Sequence, residues 1–291
     1  MLDTRKESIW QFSIPKSQEI SVLESIEEGN VLFFPALSFG LSFEENRFLT
    51  PETVDPKSKN VSYNPQNQAL KGSTCLQQDL ADLQVMMARF SKQARALIDS
   101  VFPYYKTNLE WGKTSFRPVE AYGRQAFSYR KDDTRLHIDA FASQPVQGRR
   151  LLRVFSNINP QNKPRVWKLG EPLETVAQRF IPQISSRSWI SPVLLKALGI
   201  TKGYRTPYDH LMLQLHNKMK ADLDYQQTVP ALEVVFPSKS TWIVMKDKTS
   251  HAALSGQFLL EQTFYLPPLA MNSPNKSPLR ILERIVGEKL T

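Results

Sequence analysis

Arg135-Leu136-His137-Ile138-Asp139-Ala140-Phe141 alternates polar with apolar side chains, and that alternation reads as a β-strand. Side chains at i and i+2 of a strand project to one face. His137 and Asp139 therefore stand side by side. An imidazole and a carboxylate so placed supply two members of the two-histidine, one-carboxylate triad that holds Fe(II) and leaves coordination positions open. A third ligand must come from elsewhere in the chain, so the reading of this stretch decides both fold and chemistry.

Further strand signals flank it. Ala126 to Arg130 precedes it, with a turn at Lys131-Asp132-Asp133, and Leu151 to Ile158 follows after the loop Gln144 to Gly148. More strands are expected at Asn30 to Phe34, stopped by Pro35, at Ala231 to Phe236, at Thr241 to Met245 and at Phe258 to Leu266. A helix is expected from Lys16 to Glu28. A stronger one runs from Gln77 to Phe102, where Leu80, Leu83, Met86, Met87, Phe90, Ala94 and Ile98 recur at helical spacing and Pro103 stops it. Residues 41 to 74 read as an extended loop. Residues from about 171 to 226 read as helical, broken at Pro182, Pro192 and Pro207. Short strands around a helical insert, with a long helix before them, give an α+β chain with a β-sandwich or barrel core backed by helices. A double-stranded β-helix, the jelly-roll type, is one such architecture. The chain reads as a single domain, 1–291, with 1–110 as helical and strand support and 111–291 as the core. No Gly-rich phosphate loop follows any strand, which excludes a Rossmann reading.

Four histidines can supply the third ligand: His137, His210, His216 and His251. His210 and His216 fall on an expected helix, Tyr208 to Asp222. Six residues apart, they point about 240° from each other and cannot both face one metal. His251 follows the strand Thr241 to Met245 and the turn Lys246 to Ser250, just before the strand that opens after Gly256-Gln257. In a jelly roll it can neighbour the His137 strand although 112 residues separate it from Asp139. His137, Asp139 and His251 are the expected catalytic metal ligands. Zinc can use the same donors, but a zinc hydrolase also needs a nearby general base, as in H-E-x-x-H, and none is present.

Fe(II) on such a triad commonly works with 2-oxoglutarate and O2. The far carboxylate of that cosubstrate calls for a cation, and a guanidinium fork matches it in shape. The stretch Glu261 to Tyr265, ten and more residues past His251, holds no arginine. Alternation along Leu151 to Asn157 puts Arg153 and Asn157 on one face. Arg153 is the expected anchor, with Asn157, Tyr129 and Thr263 as hydrogen-bonding neighbours and Arg280 as second choice. Ascorbate is expected to keep the iron reduced.

The formal charge of the 291 residues is +9. From Val146 to Lys220, thirteen Lys/Arg face three Asp/Glu, and the rest is near neutral. Such a segment fits a solvated face or an anionic partner: a phosphorylated substrate, an acidic membrane surface or nucleic acid. Nucleic acid ranks last, since no nucleic-acid-binding signature accompanies the charge. The first residues have no signal-peptide pattern, and no apolar run is long enough to span a bilayer. One cysteine, Cys75, allows no internal disulfide and fits a reducing compartment.

Several stretches together resemble the Kdo hydroxylases. These are His137 to Phe141, Gly148 to Pro160, Thr206 to Met212, Ser250 to Gln257 and Leu260 to Leu266, so that the likeness runs over roughly residues 110 to 285. The resemblance implies an Fe(II)/2-oxoglutarate-dependent dioxygenase whose triad matches His137, Asp139 and His251. It implies hydroxylation of the 3-deoxy carbon of the outer Kdo of Kdo2-lipid A, giving Ko, during lipopolysaccharide inner-core assembly. It further implies a cytoplasmic, peripheral protein at the inner face of the bacterial inner membrane. Arg149 and Arg150 are then expected to bind substrate, and Arg165, Lys168, Lys202 and Arg205 to meet the anionic surface. The alternatives are a non-catalytic jelly-roll module binding anionic glycolipid, or a 2-oxoglutarate hydroxylase of another substrate such as a protein side chain.

Overall fold

β11 (Leu259–Leu266) lies between β6 (Arg150–Asn157) and β5 (Glu110–Arg117), antiparallel to both. Every residue of β11 and β6 is buried, because each face of this sheet is covered. On one face Leu260, Phe264 and Leu266 join Leu152 and Val154 in the largest apolar cluster. On the other, Glu261, Thr263, Tyr265, Arg153 and Phe155 line a cavity. The period-2 alternation of both strands thus separates a packing face from a chemical face. The computed structural model that gives this arrangement describes residues 1–12, 14–123, 128–184 and 203–291.

The large sheet has eight strands in the order β1-β2-β9-β6-β11-β5-β3-β4, where β1 is Leu2–Thr4, β2 Val31–Phe34, β3 Val61–Tyr63, β4 Leu70–Lys71 and β9 Thr241–Met245. All its pairings are antiparallel except β1 with β2. A second sheet has the order β10-β7-β8, with β7 Arg165–Pro172, β8 Leu232–Phe236 and β10 Thr249–Ser255. Residues 136–139 lie beside β10, so two four-stranded layers face each other. They are β9-β6-β11-β5 and the 136–139 segment with β10-β7-β8. This is the double-stranded β-helix.

Two helices back the large sheet. α1 (Lys16–Glu27) buries Val22, Leu23 and Ile26. α2 (Gln77–Val101) buries Leu83, Met86, Met87, Phe90, Ala94 and Ile98, while Leu80 is only partly covered. Four further helices contribute to a second apolar cluster: α3 (Leu173–Phe180), α4 (Pro207–Ala221), α5 (Leu223–Thr228) and α6 (Pro278–Val286). Leu136 and Ile138, on either side of His137, are buried in that cluster. The helical insert thereby fixes the direction of His137.

Several expectations need correction. Residues 41 to 74 are not a plain loop, since β3 and β4 extend the sheet beyond β5, with two 3-10 turns before them. Pro207 starts a helix instead of breaking one. It sits at the first helical position, and Thr206 and Asp209 cap the terminus reciprocally. Pro182 lies in a 3-10 turn after α3, and Pro192 is outside the described residues. Of the expected strand Ala126 to Arg130, residues 126 and 127 are outside the described residues and Tyr129–Lys131 is a 3-10 turn.

The His137 segment itself is extended but makes only an isolated bridge. On one side His137 exchanges both backbone bonds with His251, and Asp139 N–H donates to Lys246 O. On the other, the Gln226 side chain of α5 accepts from Leu136 N–H at 2.7 Å and donates to Leu136 O at 3.0 Å. A side-chain amide stands where a neighbouring strand would continue the ladder.

Candidate metal centre

The bridge between residues 137 and 251 carries the site. His137 N–H donates to His251 O at 3.0 Å and His251 N–H to His137 O at 2.9 Å, which sets the two imidazoles with ring centroids 4.6 Å apart. His251 is not in a turn or at a strand entrance. It lies inside β10, whose register with β7 was not legible as a strand. Asp139 completes the group: its Oδ1 lies 3.5 Å from His137 Nε2 and 3.4 Å from His251 Nε2. All three ligand atoms fall within 4.8 Å of one another, and all three residues are buried.

The protonation states follow from the surroundings. His137 Nδ1 lies 2.7 Å from Arg135 O and His251 Nδ1 2.9 Å from Thr249 O. A carbonyl only accepts, so each Nδ1 carries the proton and each Nε2 keeps its lone pair. Burial lowers both imidazole pKa values, that of His137 to about 4. Burial alone would raise Asp139. The cationic Lys246 and Arg153 outweigh it and hold the carboxyl well below its ordinary value. At neutral pH the cluster is two neutral imidazoles and one carboxylate.

One atom tests whether a metal fits. His251 Nε2, which keeps its lone pair, is buried without a hydrogen-bond partner. An orphaned lone pair in the interior costs about 1–3 kcal/mol unless an ion or water takes it. The donor set suits Fe(II). It does not suit a zinc hydrolase, because the cavity's other carboxylates are held by cations and cannot serve as a base: Asp133 by Lys59 at 2.5 Å, and Glu261 by Arg153 at 2.6 Å and Arg117 at 2.9 Å. Those arginines and Lys246 outweigh burial and draw the pKa of Glu261 down to about 2.

The triad opens into a cavity of about 570 Å³ between the two sheets. Its lining holds ten cationic side chains against three anionic ones. Arg153 is in it, 3.2 Å from Asp139 Oδ2, with its guanidinium over the Phe141 ring. Thr263 is also in it, directly across the β6–β11 ladder from Arg153. Of the other expected cosubstrate neighbours, Asn157 spends its amide on Lys163 O and Phe236 O, both at 3.1 Å. Tyr129 and Arg280 lie outside the lining, the latter paired with Glu283.

Neither of the expected substrate arginines lines the cavity. Arg150 shares its strand face with Leu152, away from the cavity, and is fully buried with Asp247 at 2.8 and 3.2 Å. Arg149 pairs with Glu110 at 2.6 Å and covers the outer side of Tyr265. Lys168 is off the cavity, Arg205 donates to Ala142 O, and Lys202 is outside the described residues. Arg165 does line the cavity.

Two residues of the site were missed. Lys246 stands 3.6 Å from Asp139 Oδ2, over the rings of Trp167 and Phe155, and burial lowers its pKa to about 8. His216, set aside because it cannot share a metal with His210, packs edge-on to His137 at 5.1 Å and donates from Nδ1 to Ile138 O at 2.8 Å. It braces the peptide between two ligands without being one. Its helical phase was readable; what α4 packs against was not.

A family model described as 3-deoxy-D-manno-oct-2-ulosonic acid (Kdo) hydroxylase matches residues 9–289. Among solved structures, the chain is similar to the Kdo hydroxylase KdoO, a non-heme Fe(II) alphaketoglutarate-dependent dioxygenase, in complex with alphaketoglutarate and Fe(III). Identity is 46%, the match covers 100% of this chain and 97% of that one, and the TM-score is 0.95. The same enzyme in complex with succinate and Fe(III) matches at 46% identity over 99% of this chain and 97% of that one, with a TM-score of 0.95. A cobalt(II) complex matches over the same shares at 46% and 0.96. No curated protein matches the chain.

Proposed function

The chain belongs to the Kdo hydroxylase family, and from that membership we propose that it hydroxylates the 3-deoxy carbon of a Kdo residue in Kdo2-lipid A, giving Ko. That it is an Fe(II)/2-oxoglutarate-dependent hydroxylase follows from the family together with the His137, Asp139 and His251 cluster. The observation that carries the finer reading is this buried cluster at the wall of a cavity whose charged side chains are mostly cationic. Kdo2-lipid A bears carboxylates and phosphates, and a cationic cavity beside a metal centre suits such a molecule.

His137 and His251 would hold Fe(II) through Nε2, and Asp139 through Oδ1. When bound, the iron and 2-oxoglutarate supply, with O2, the oxidising power to exchange a C–H bond for C–OH as the cosubstrate becomes succinate and CO2. The protein's part is orientation. The backbone carbonyls of Arg135 and Thr249 fix the imidazole tautomers. Arg153 and Lys246 engage Asp139 Oδ2 and leave Oδ1 to the metal. Arg153 and Thr263, facing each other across two strands, hold the far carboxylate of 2-oxoglutarate. Phe141, Phe155 and Trp167 keep water from the reacting centre.

The membrane reading rests on the substrate. Among the described residues no helix is long and apolar enough to cross a membrane. The protein works peripherally at the inner face of the bacterial inner membrane, and ascorbate keeps its iron reduced. Incubation of Kdo2-lipid A with the chain, Fe(II), 2-oxoglutarate, ascorbate and O2 tests this by mass spectrometry. The expected product carries one added oxygen, with succinate formed in equal amount. Unmodified Kdo2-lipid A and no stimulation of 2-oxoglutarate turnover would overturn it.

A further inference from the structure

β3 and β4 carry the large sheet two strands past β5, and the metal centre uses neither. One register row crosses the cavity side of this sheet. Glu261 of β11 stands opposite Ser115 of β5, Ser115 opposite Ser62 of β3, and Ser62 opposite Lys71 of β4. All four line the cavity. Neighbouring strands lie about 4.8 Å apart, so three spacings put Lys71 about 14 Å from Glu261. Glu261 marks the metal end of the row, because Arg153 joins it to Asp139 through contacts of 2.6 and 3.2 Å. Lys71 marks the far end, exposed on the edge strand.

Other cations gather along this rim. Lys113 lies two residues before Ser115 on the same face of β5, and Lys59, Arg130 and Lys131 complete the lining. The rim is held in place. Gly72 has φ +78°, and a Cβ there would stand 2.8 Å from Asn60 O, so glycine lets the end of β4 lie against the segment that carries Lys59. Lys59 Nζ in turn meets Asp133 Oδ2 at 2.5 Å. Lys220, 1% exposed, donates to Arg130 O at 3.1 Å, and Ala253 N–H donates to Asp133 O at 2.8 Å. The carboxylates of the lining are already engaged: Asp139 with the imidazoles, Glu261 with Arg117 and Arg153, Asp133 with Lys59. Among the described residues, Lys71, Arg130 and Lys131 have no carboxylate within 4 Å. The rim thus keeps a positive charge that the chemistry at the metal does not use.

We propose that this rim seats a second anionic group of the substrate, a phosphate or carboxylate on a unit beyond the sugar being hydroxylated. This rests on the Kdo hydroxylase reading. The row from Glu261 to Lys71 is longer than one pyranose ring. An anion held at Lys71 while the reacting carbon faces the metal therefore belongs to a neighbouring unit. Ser115 and Ser62, between the two ends, offer hydroxyls to the sugar that spans them. The β3–β4 extension then selects a sugar acid carried by a charged glycolipid over the same sugar acid alone.

Initial rates of the full chain with Fe(II) and 2-oxoglutarate are measured on Kdo2-lipid A in neutral detergent micelles and on the same glycolipid stripped of its phosphates. Binding of the methyl glycoside of Kdo is read anaerobically from the absorption band of the iron–2-oxoglutarate chelate. Lys71→Gln is expected to raise the KM for Kdo2-lipid A about 5-fold, and Lys71→Gln with Lys113→Gln about 20-fold, as for partly exposed charge pairs. Turnover at saturation, the KM for 2-oxoglutarate and the affinity for the methyl glycoside should not change, and Lys71→Arg should restore the KM. The chelate band also reports that the variants are folded. With a phosphate as the anion, stripping it raises the KM of the unaltered chain and abolishes the effect of the variants. With a neighbouring carboxylate, the variants keep their effect on the stripped glycolipid. An unchanged KM for Kdo2-lipid A in both variants overturns the inference. So does an equal loss on the methyl glycoside, which would make the rim part of the seat for the reacting sugar. A loss confined to anionic vesicles also overturns it, since the rim would then be a membrane contact. An unaltered chain that oxidises neither glycolipid would instead bring down the functional reading on which the inference rests.

Discussion

Arg150 and Arg153 show how much one residue's parity decides. They share a strand and differ by three positions, so they point to opposite faces. Arg150 meets Asp247 in the interior; Arg153 meets Asp139 beside the metal ligands. Arg150→Ala should leave Asp247 buried and unpaired and cost about 3–5 kcal/mol in urea unfolding. The folded fraction should still bind Fe(II). Selective loss of substrate affinity without loss of stability would restore Arg150 to a binding role. Arg153→Ala has the opposite signature: the KM for 2-oxoglutarate should rise at least about tenfold, the loss of a charge-assisted pair, while the KM for the Kdo substrate changes little. Adjacent positions in one basic run therefore have unlike roles, which composition alone could not separate.

At the scale of elements, β11 is the informative strand. Its face toward α2 holds Leu260, Phe264 and Leu266 with one buried amide, Gln262, and its face toward β10 holds Glu261, Thr263 and Tyr265. Phe264, fully buried, packs with Trp111 at 5.3 Å between ring centroids. Phe264→Ala should lower stability by about 3–5 kcal/mol through the cavity it leaves. Metal affinity at saturating folding conditions should hold, because Phe264 faces away from the ligands. A variant that lost Fe(II) while keeping its unfolding midpoint would contradict this division of faces. The elements that were readable, α1, α2, β2, β6, β8, β9 and β11, carry long apolar or strongly periodic runs. β10 was not, because Thr249-Ser250-His251 puts three polar side chains where burial is supplied by β7 and the 136–139 segment.

For the whole molecule, buried imidazoles make stability depend on pH. His137 and His216 have pKa values of about 4 against an ordinary 6.5, lowered by burial. Between those values the unfolded chain binds protons that the folded one refuses. Stability of the metal-free protein should therefore be full above about pH 6.5 and decline as pH falls toward about 4. The buried carboxylates add a further decline below that, since Asp139 and Glu261 are held low by their cations. Urea midpoints of the metal-free chain from pH 7 to 4.5 measure it. A flat profile would mean that the imidazoles are not buried in the neutral state.

The sequence by itself determined the triad. His137 and Asp139 follow from period-2 spacing in an extended segment, and His251 from its place before the last strand, all local signals. The jelly-roll class followed as one of the architectures open to such strands, and the family from linked motifs. What only tertiary structure decided is which further side chains meet the site. Lys246, His216 and Arg165 come from three elements distant in the chain, and Arg150 leaves the site by strand parity. Side-chain periodicity is a property of one segment. Which face is covered, and by what, depends on the packing of segments against one another, and no single stretch of residues encodes that.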